Sequence, residues 1–324
     1  MSIFKHIKMA LLSGIMTISI TSTFGQSIPS FEENIPFLVT FGSESSTTWG
    51  DDDFSQVFFF VIPKTQVNPV FIRVFDPGTG GKYDEVKGTF NTKTKFSVYG
   101  GKGCITNKDA RNTNPTGNYK SGNMLSTKMF TTQYDNAWYS FGPFNPTSGE
   151  YSAEYGGYIF KIIAQGISGD DGNLYRYYLS TSNTSNKDVQ GSNAFTFEYS
   201  FRLHDSPNEV SHIYPYINNH VVSVKQGNFD WDYDGEFKIV TNTRLSIPLS
   251  KSGDGNWARS EHKVYSKEKE STFDIQMHKN KSKPAKNNNI TIYITNQYDE
   301  ALPFYTVPIG GAPKPKSSIK VRKN

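Results

Sequence analysis

Three turns rich in aspartate and glycine carry the side chains of this sequence best placed to do chemistry: Asp76-Pro-Gly-Thr-Gly-Gly-Lys-Tyr-Asp84-Glu85, Gly169-Asp170-Asp171-Gly172-Asn173 and Asp230-Trp231-Asp232-Tyr233-Asp234-Gly235. Carboxylates and carboxamides gathered on flexible turns suit Ca²⁺, a hard cation that takes about six to eight oxygens in loose geometry. In the last turn Asp230, Asp232 and Asp234 alternate, and Gly235 lets the chain bend so that their oxygens converge. Thr241 stands where a complete EF-hand loop would need a carboxylate, so any further ligands must come from elsewhere. In the first half, Asp51-Asp52-Asp53, Asp76 with Asp84, and Asp170-Asp171-Gly172-Asn173 fall at strand ends, and if those strands are neighbours the three turns converge at one rim around a shared ion. The plainer reading is of ordinary β-turns, in which Asp and Gly are favoured for local hydrogen bonding and tolerance of positive φ.

Aromatic side chains offer a second kind of contact. Trp49, Trp231 and Trp257 lie in Gly- or Asp-flanked loops and are expected to be partly exposed, available to stack on a sugar or a partner, whereas Trp138 in Asn-Ala-Trp-Tyr-Ser-Phe-Gly reads as core. No catalytic motif accompanies them. His204, His212, His220, His262 and His278 make no HExxH pair, no serine sits in a Gly-x-Ser-x-Gly elbow, and no two carboxylates are singled out for glycoside hydrolysis. The single Cys104 excludes an intramolecular disulfide and has no local histidine to activate it. The expectation is therefore a non-enzymatic, calcium-stabilised binding module presenting loops to an envelope protein or a glycan. The alternative is an accessory or catalytic component of polysaccharide processing.

The elements that must hold these turns are strands. Runs rich in Val, Ile, Phe, Tyr and Thr, bounded by Gly, Pro, Asn or Asp, recur at residues 36–42, 56–63, 69–76, 95–100, 138–144, 158–167, 174–180 and 194–203. Residues 194–201 alternate large aromatic with smaller or polar side chains, as a strand with one buried face does, while the unbroken run Val57-Phe-Phe-Phe-Val-Ile62 suits a central strand covered on both sides. No stretch has a 3.6-residue period. The fold class expected is all-β, a large jelly-roll or Greek-key sandwich over residues 26–205 followed by a smaller immunoglobulin-like sandwich over 206–311. The boundary is set at the polar, proline-bearing stretch 204–209. Second-half strands are expected at 211–217, 221–225, 236–242, 243–248, 260–265, 271–278, 289–295 and 304–309, with 279–289 a polar hairpin loop.

Residues 1–25 run from a basic segment with Lys5 and Lys8 through an apolar stretch to small residues before Gln26, the order of a secretory signal peptide. This places the mature chain in the periplasm, at the outer membrane or cell surface, or outside the cell. No other apolar run is long enough for a transmembrane helix. The net charge of +4 is small and much of it lies in the tail 312–324, so a nucleic-acid groove is not expected, although that flexible basic tail suits peripheral contact with an anionic membrane.

The segments Phe71-Ile-Arg-Val-Phe-Asp76-Pro-Gly-Thr-Gly-Gly81 and Tyr158-Ile-Phe-Lys-Ile-Ile-Ala-Gln-Gly-Ile-Ser-Gly-Asp-Asp-Gly-Asn-Leu-Tyr175 resemble the strand-and-turn pattern of pre-peptidase C-terminal type sandwiches, which are accessory modules of secreted bacterial proteins. The Asn-, Tyr- and Phe-rich style is similar to that of Bacteroidota envelope proteins. The resemblance spans residues 35 to 203 and implies a fold, with no activity attached.

Overall fold

The computed structural model describes residues 27–111 and 118–314; the expected signal peptide and the end of the basic tail lie outside them. Among the described residues the fold is all-β and antiparallel, with only short 3-10 turns besides strands. No helix there is long and apolar enough to cross a membrane.

A nine-stranded sheet runs in the order Trp257–Lys263, Ser223–Phe229, Asn289–Asn296, Glu198–Arg202, Phe37–Phe41, Gly172–Ser180, Val70–Phe75, Trp138–Phe144, with Ser27–Ile28 also paired to Gly172–Ser180. A seven-stranded sheet follows the order Phe304–Tyr305, Asn193–Thr196, Ser55–Pro63, Gly157–Ser168, Lys93–Gly100, Asn123–Phe130, with Glu150–Ser152 beside Gly157–Ser168. The core between them is aromatic. Tyr175 and Tyr177 of the larger sheet meet Phe58, Phe60 and Phe96 of the smaller one, mostly edge to face. Ser55–Pro63 is central, as its unbroken apolar run implied. Phe58, Phe60 and Ile62 enter the main core, while Phe59 and Val61 turn the other way into a cluster with Ile105, Ile159 and Phe195.

The expected division at residue 205 is bridged by main-chain pairing. Asn289–Asn296 pairs along Glu198–Arg202, with Tyr199 opposite Ile292, and Phe304–Tyr305 pairs with Asn193–Thr196. Had the sheet stopped at Glu198–Arg202, that strand would present a row of unsatisfied N–H and C=O groups. Three strands from the second half extend it instead. A four-stranded sheet, Val210–Ile213, Asp274–His278, Glu236–Val240 and Ile247–Pro248, adds Ile213, Phe237, Ile239, Ile275 and Met277 to the same buried cluster that holds Val224, Ile290, Ile292 and Ile294 of the large sheet. The smaller set of strands thus takes one of its layers from the larger.

The stretch expected as one strand over 194–203 is two. Asn193–Thr196 belongs to the seven-stranded sheet and Glu198–Arg202 to the nine-stranded one, so the chain changes sheets at Phe197. Loop 279–289 is less solvated than its composition implied, because Lys279 is buried against Asp234.

Candidate functional site

The first acidic turn leaves the strand Val70–Phe75 and packs against the start of Gly172–Ser180. Asp76 is fully buried, with φ of 55°. Its Oδ1 accepts the Asn136 N–H at 2.9 Å, and its Oδ2 is buried without a partner. Asn173 is also fully buried; its Nδ2 donates to the Pro77 carbonyl at 2.8 Å, and its Oδ1 has no partner. Asp84 accepts the Gly80 N–H on one oxygen and the Leu174 N–H on the other, both at 2.7 Å. Burial, opposed by those two N–H groups and aided by the charges of Asp76 and Asp135, pushes Asp84 up to about 8. Burial likewise raises Asp76 to about 6, with the Asp135 charge adding to it.

Asp171 does not join this group. Its carboxylate accepts three backbone N–H groups, from Lys87 at 3.1 Å, Asn91 at 2.7 Å and Thr92 at 3.0 Å. That is the work of a staple holding the 87–92 loop, and it leaves the oxygens committed to donors rather than to a cation. Asp170 is half-buried beside Asn91, whose Oδ1 accepts the Asp170 N–H at 3.1 Å. Hydrogen bonds thus join the first turn to Asn173 and Leu174, Asp170 Oδ1 is likewise buried without a partner, and Asp135, whose charge acts on Asp84, is the residue sequence reading missed.

In the last turn only two of the three alternating aspartates converge. Asp230, Asp232 and Asp254 bring carboxylate oxygens within 4.8 Å of one another. Asp230 accepts the Gly255 N–H at 2.6 Å, and burial, together with the charges of Asp232, Asp254 and Glu85, pushes it up to about 7. Asp234 points elsewhere: it accepts N–H groups of Gly235, Asn280 and Ala285 and pairs with buried Lys279 at 3.3 Å. Asp254 sits in Ser252-Gly-Asp-Gly-Asn256, itself an Asp-Gly turn, which is the signal that marks it in the sequence.

The three tryptophans divide. Trp231, expected to be exposed, is fully buried; it stacks on Phe237 with centroids 5.4 Å apart, and its Nε1 donates to the Asp234 carbonyl at 2.5 Å. Trp49 and Trp257 are half-buried. Trp49 lies edge-on to Phe41 at 5.6 Å with Lys87 above its ring at 5.4 Å. Trp257 begins the edge strand of the large sheet, on the same face as Tyr293, with the two ring centroids 5.1 Å apart. Its Nε1 donates to Asp52 Oδ2 at 2.9 Å, which fixes the indole plane. Tyr293 lies over Gly227, where the space a Cβ would need is taken by its ring, and it stands opposite Glu198 in register. Glu198 is held well above the usual carboxylate range by burial, with the charges of Asp53, Asp52 and Asp51 adding to it. Arg259, exposed, stands opposite Gly227. Tyr293, Glu198 and Arg259 were not anticipated, because cross-strand register cannot be read from one strand.

Asp53, Gln56, Thr196, Glu198 and Ser200 line a cavity of about 10 Å³, room for roughly one water. Cys104 is fully buried and its thiol is pushed up to about 12 by that burial, so it is not a nucleophile at neutral pH.

No family model and no curated protein matches the chain. Among solved structures it has a slight likeness to the N-terminal CBM22-1-CBM22-2 tandem domain of Xyn10C from Paenibacillus barcinonensis: 10% identity, covering 84% of this chain and 98% of that one, with a TM-score of 0.18. A score that low carries no weight for fold or function.

Proposed function

We propose that this is an exported, non-enzymatic binding module of the cell envelope or its surroundings, stabilised by Ca²⁺, that takes a glycan on the outer face of the large sheet at Trp257 and Tyr293. The observation that carries the reading is the locked, half-buried Trp257 beside Tyr293 at an edge strand, with Glu198 and Arg259 near. An aromatic face offers apolar area to the C–H side of a sugar ring, while the exposed Arg259 guanidinium across Gly227 from Tyr293 can donate to its hydroxyls. The export component rests on the basic, apolar and small-residue order of the first 25 residues. Intact-mass measurement on protein from the producing cell should find a mature chain beginning near Gln26. Full-length protein in the cytosol would refute export.

Affinity electrophoresis in gels carrying neutral and acidic polysaccharides tests the glycan face. Trp257→Ala is expected to weaken retardation tenfold or more, roughly 1.4 kcal/mol, while Trp49→Ala leaves it nearly unchanged. Equal retardation of wild type and Trp257→Ala on every glycan that binds would remove the assignment. Release of new reducing ends by the wild type would favour the catalytic alternative.

Calcium stabilisation has its own readout. A ligand bound only by the native state at a hundredfold excess over Kd adds about 2.7 kcal/mol, so millimolar Ca²⁺ should raise the Tm over that in chelator. Coincident melting curves would refute it.

A further inference from the structure

We propose that the turn 76–84, closed by Asn173 and Asp135, is the Ca²⁺ site of this protein. The inference rests on the calcium reading above and adds the location of the ion.

Two buried oxygens carry it. Asp76 and Asn173 are both fully buried, and Asp76 Oδ2 and Asn173 Oδ1 have no hydrogen-bond partner. The Asn173 amide cannot be reversed to cure this. Its Nδ2 donates to the Pro77 carbonyl, and an oxygen placed there would face another oxygen. The Asp76 carboxylate is held by the Asn136 N–H on Oδ1, which leaves Oδ2 as the free atom. Buried acceptors without donors are rare in native proteins, and two attached to one turn point to a positive partner.

The same turn supplies further oxygens. Asp84 is fixed by the Gly80 and Leu174 N–H groups, the latter from the residue following Asn173, and each of its oxygens keeps lone-pair capacity. Asp135 arrives from the loop that also carries Asn136, and its carboxylate fills the space a Cβ on Gly81 would occupy. Gly81, with φ of 77°, therefore answers both to the backbone and to that close approach. Among the described residues no lysine or arginine forms an ion pair with Asp76, Asp84 or Asp135, and the charges of Asp76 and Asp135 both act on Asp84, although the three carboxylates do not lie within 4.8 Å of one another. Every candidate donor is a carboxylate or carboxamide oxygen, which selects a hard cation. Irregular spacing on a glycine turn suits Ca²⁺ better than Mg²⁺, which demands near-octahedral geometry.

The Asp230, Asp232 and Asp254 cluster is the competing location. Its carboxylates are closer together, but Asp232 and Asp254 are exposed and none of the three leaves a buried oxygen unpartnered.

The test uses the full mature chain, stripped with chelator and titrated with Ca²⁺, reading bound ion by equilibrium dialysis and Tm in parallel. Asp135→Asn is the decisive variant, because Asp135 is exposed and its loss does not open the core. Asp135→Asn and Asn173→Ala are expected to weaken Ca²⁺ binding tenfold or more, and Asp254→Asn to leave it within twofold. Wild-type affinity in both Asp135→Asn and Asn173→Ala, with loss in Asp254→Asn, would overturn this location while leaving calcium stabilisation standing. A wild-type chain that binds no Ca²⁺ would overturn both.

Discussion

Between pH 5 and pH 8, in chelator, the protein is expected to lose stability, and Glu33→Gln is expected to remove a measurable share of that loss. Glu33 is fully buried in the turn after Ser30. Its Oε2 accepts the Ser30 N–H at 2.6 Å, and the Tyr199 hydroxyl lies against the carboxyl and also favours its charged form. Burial pushes it from 4.5 up to about 8, against the lowering effect of that N–H, with the Glu32 charge adding a little. A carboxyl whose folded value is raised binds its proton in the native state over a window where the unfolded chain has released it. Unfolding then releases protons, so stability falls as pH rises from about 4.5 to about 8. At about 1.4 kcal/mol per pH unit, Glu33 alone is worth roughly 2–4 kcal/mol across the window.

Asp84 at about 8, Asp230 at about 7 and Asp53 and Asp76 at about 6 act in the same sense. His262 and His278, lowered chiefly by burial, oppose them near neutrality. Glu268 is held at about 2 by Arg244, Thr241 and Thr243 despite its burial, and its contribution is lost only below the ordinary carboxylate range, outside this window. Urea unfolding at pH 5, 6.5 and 8 reads the slope directly. Gln keeps an acceptor for the Ser30 N–H and cannot ionise, so Glu33→Gln should be more stable than wild type at pH 8 and show a shallower slope. An unchanged slope would show that Glu33 is not held protonated.

Trp231→Ala is expected to cost about 3–5 kcal/mol, the range for truncating a large buried aromatic, and to leave glycan retention of the surviving folded protein unchanged. The side chain is fully buried, stacks on Phe237 and gives its indole N–H to the Asp234 carbonyl. Its main chain is tied as well: the N–H donates to Ser252 Oγ at 2.8 Å and the carbonyl accepts from Asn288 Nδ2 at 3.2 Å. Trp231→Phe should cost less, since the stack survives and only the indole hydrogen bond goes. Chemical denaturation of the two variants beside Trp257→Ala ranks them. A Trp231→Ala protein as stable as wild type would place this indole outside the core.

The contrast between Trp231 and Trp257 shows what local sequence can decide. Both stand in Asp- and Gly-rich surroundings, and nothing in those neighbours tells that one indole turns onto Phe237 while the other stays at an edge strand. Strand identity was legible because it rests on short-range signals. Val57–Ile62 announced a central strand, 138–144 was read to the residue, and Gly, Asn and Asp punctuated the turns. The strand Asn123–Phe130 was missed: Met, Leu, Ser, Thr and Lys there carry no clear alternation, and only pairing with Lys93–Gly100 makes it a strand. Division at residue 205 looked sound for the same local reason, a polar proline-bearing stretch, yet strand partners lie on both sides of it.

The sequence by itself determined the all-β class, the position of most strands and the acidic turns, because each is written within a few neighbouring residues as period, turn chemistry or composition. Tertiary structure alone decided which acids are spent and which remain free. Asp171 meets the N–H groups of Lys87, Asn91 and Thr92, Asp234 meets Lys279, and Asp76 meets Asn136 yet keeps one oxygen bare. A carboxylate's fate depends on the donors that folding brings to it from tens of residues away, and a turn's own residues carry no record of them.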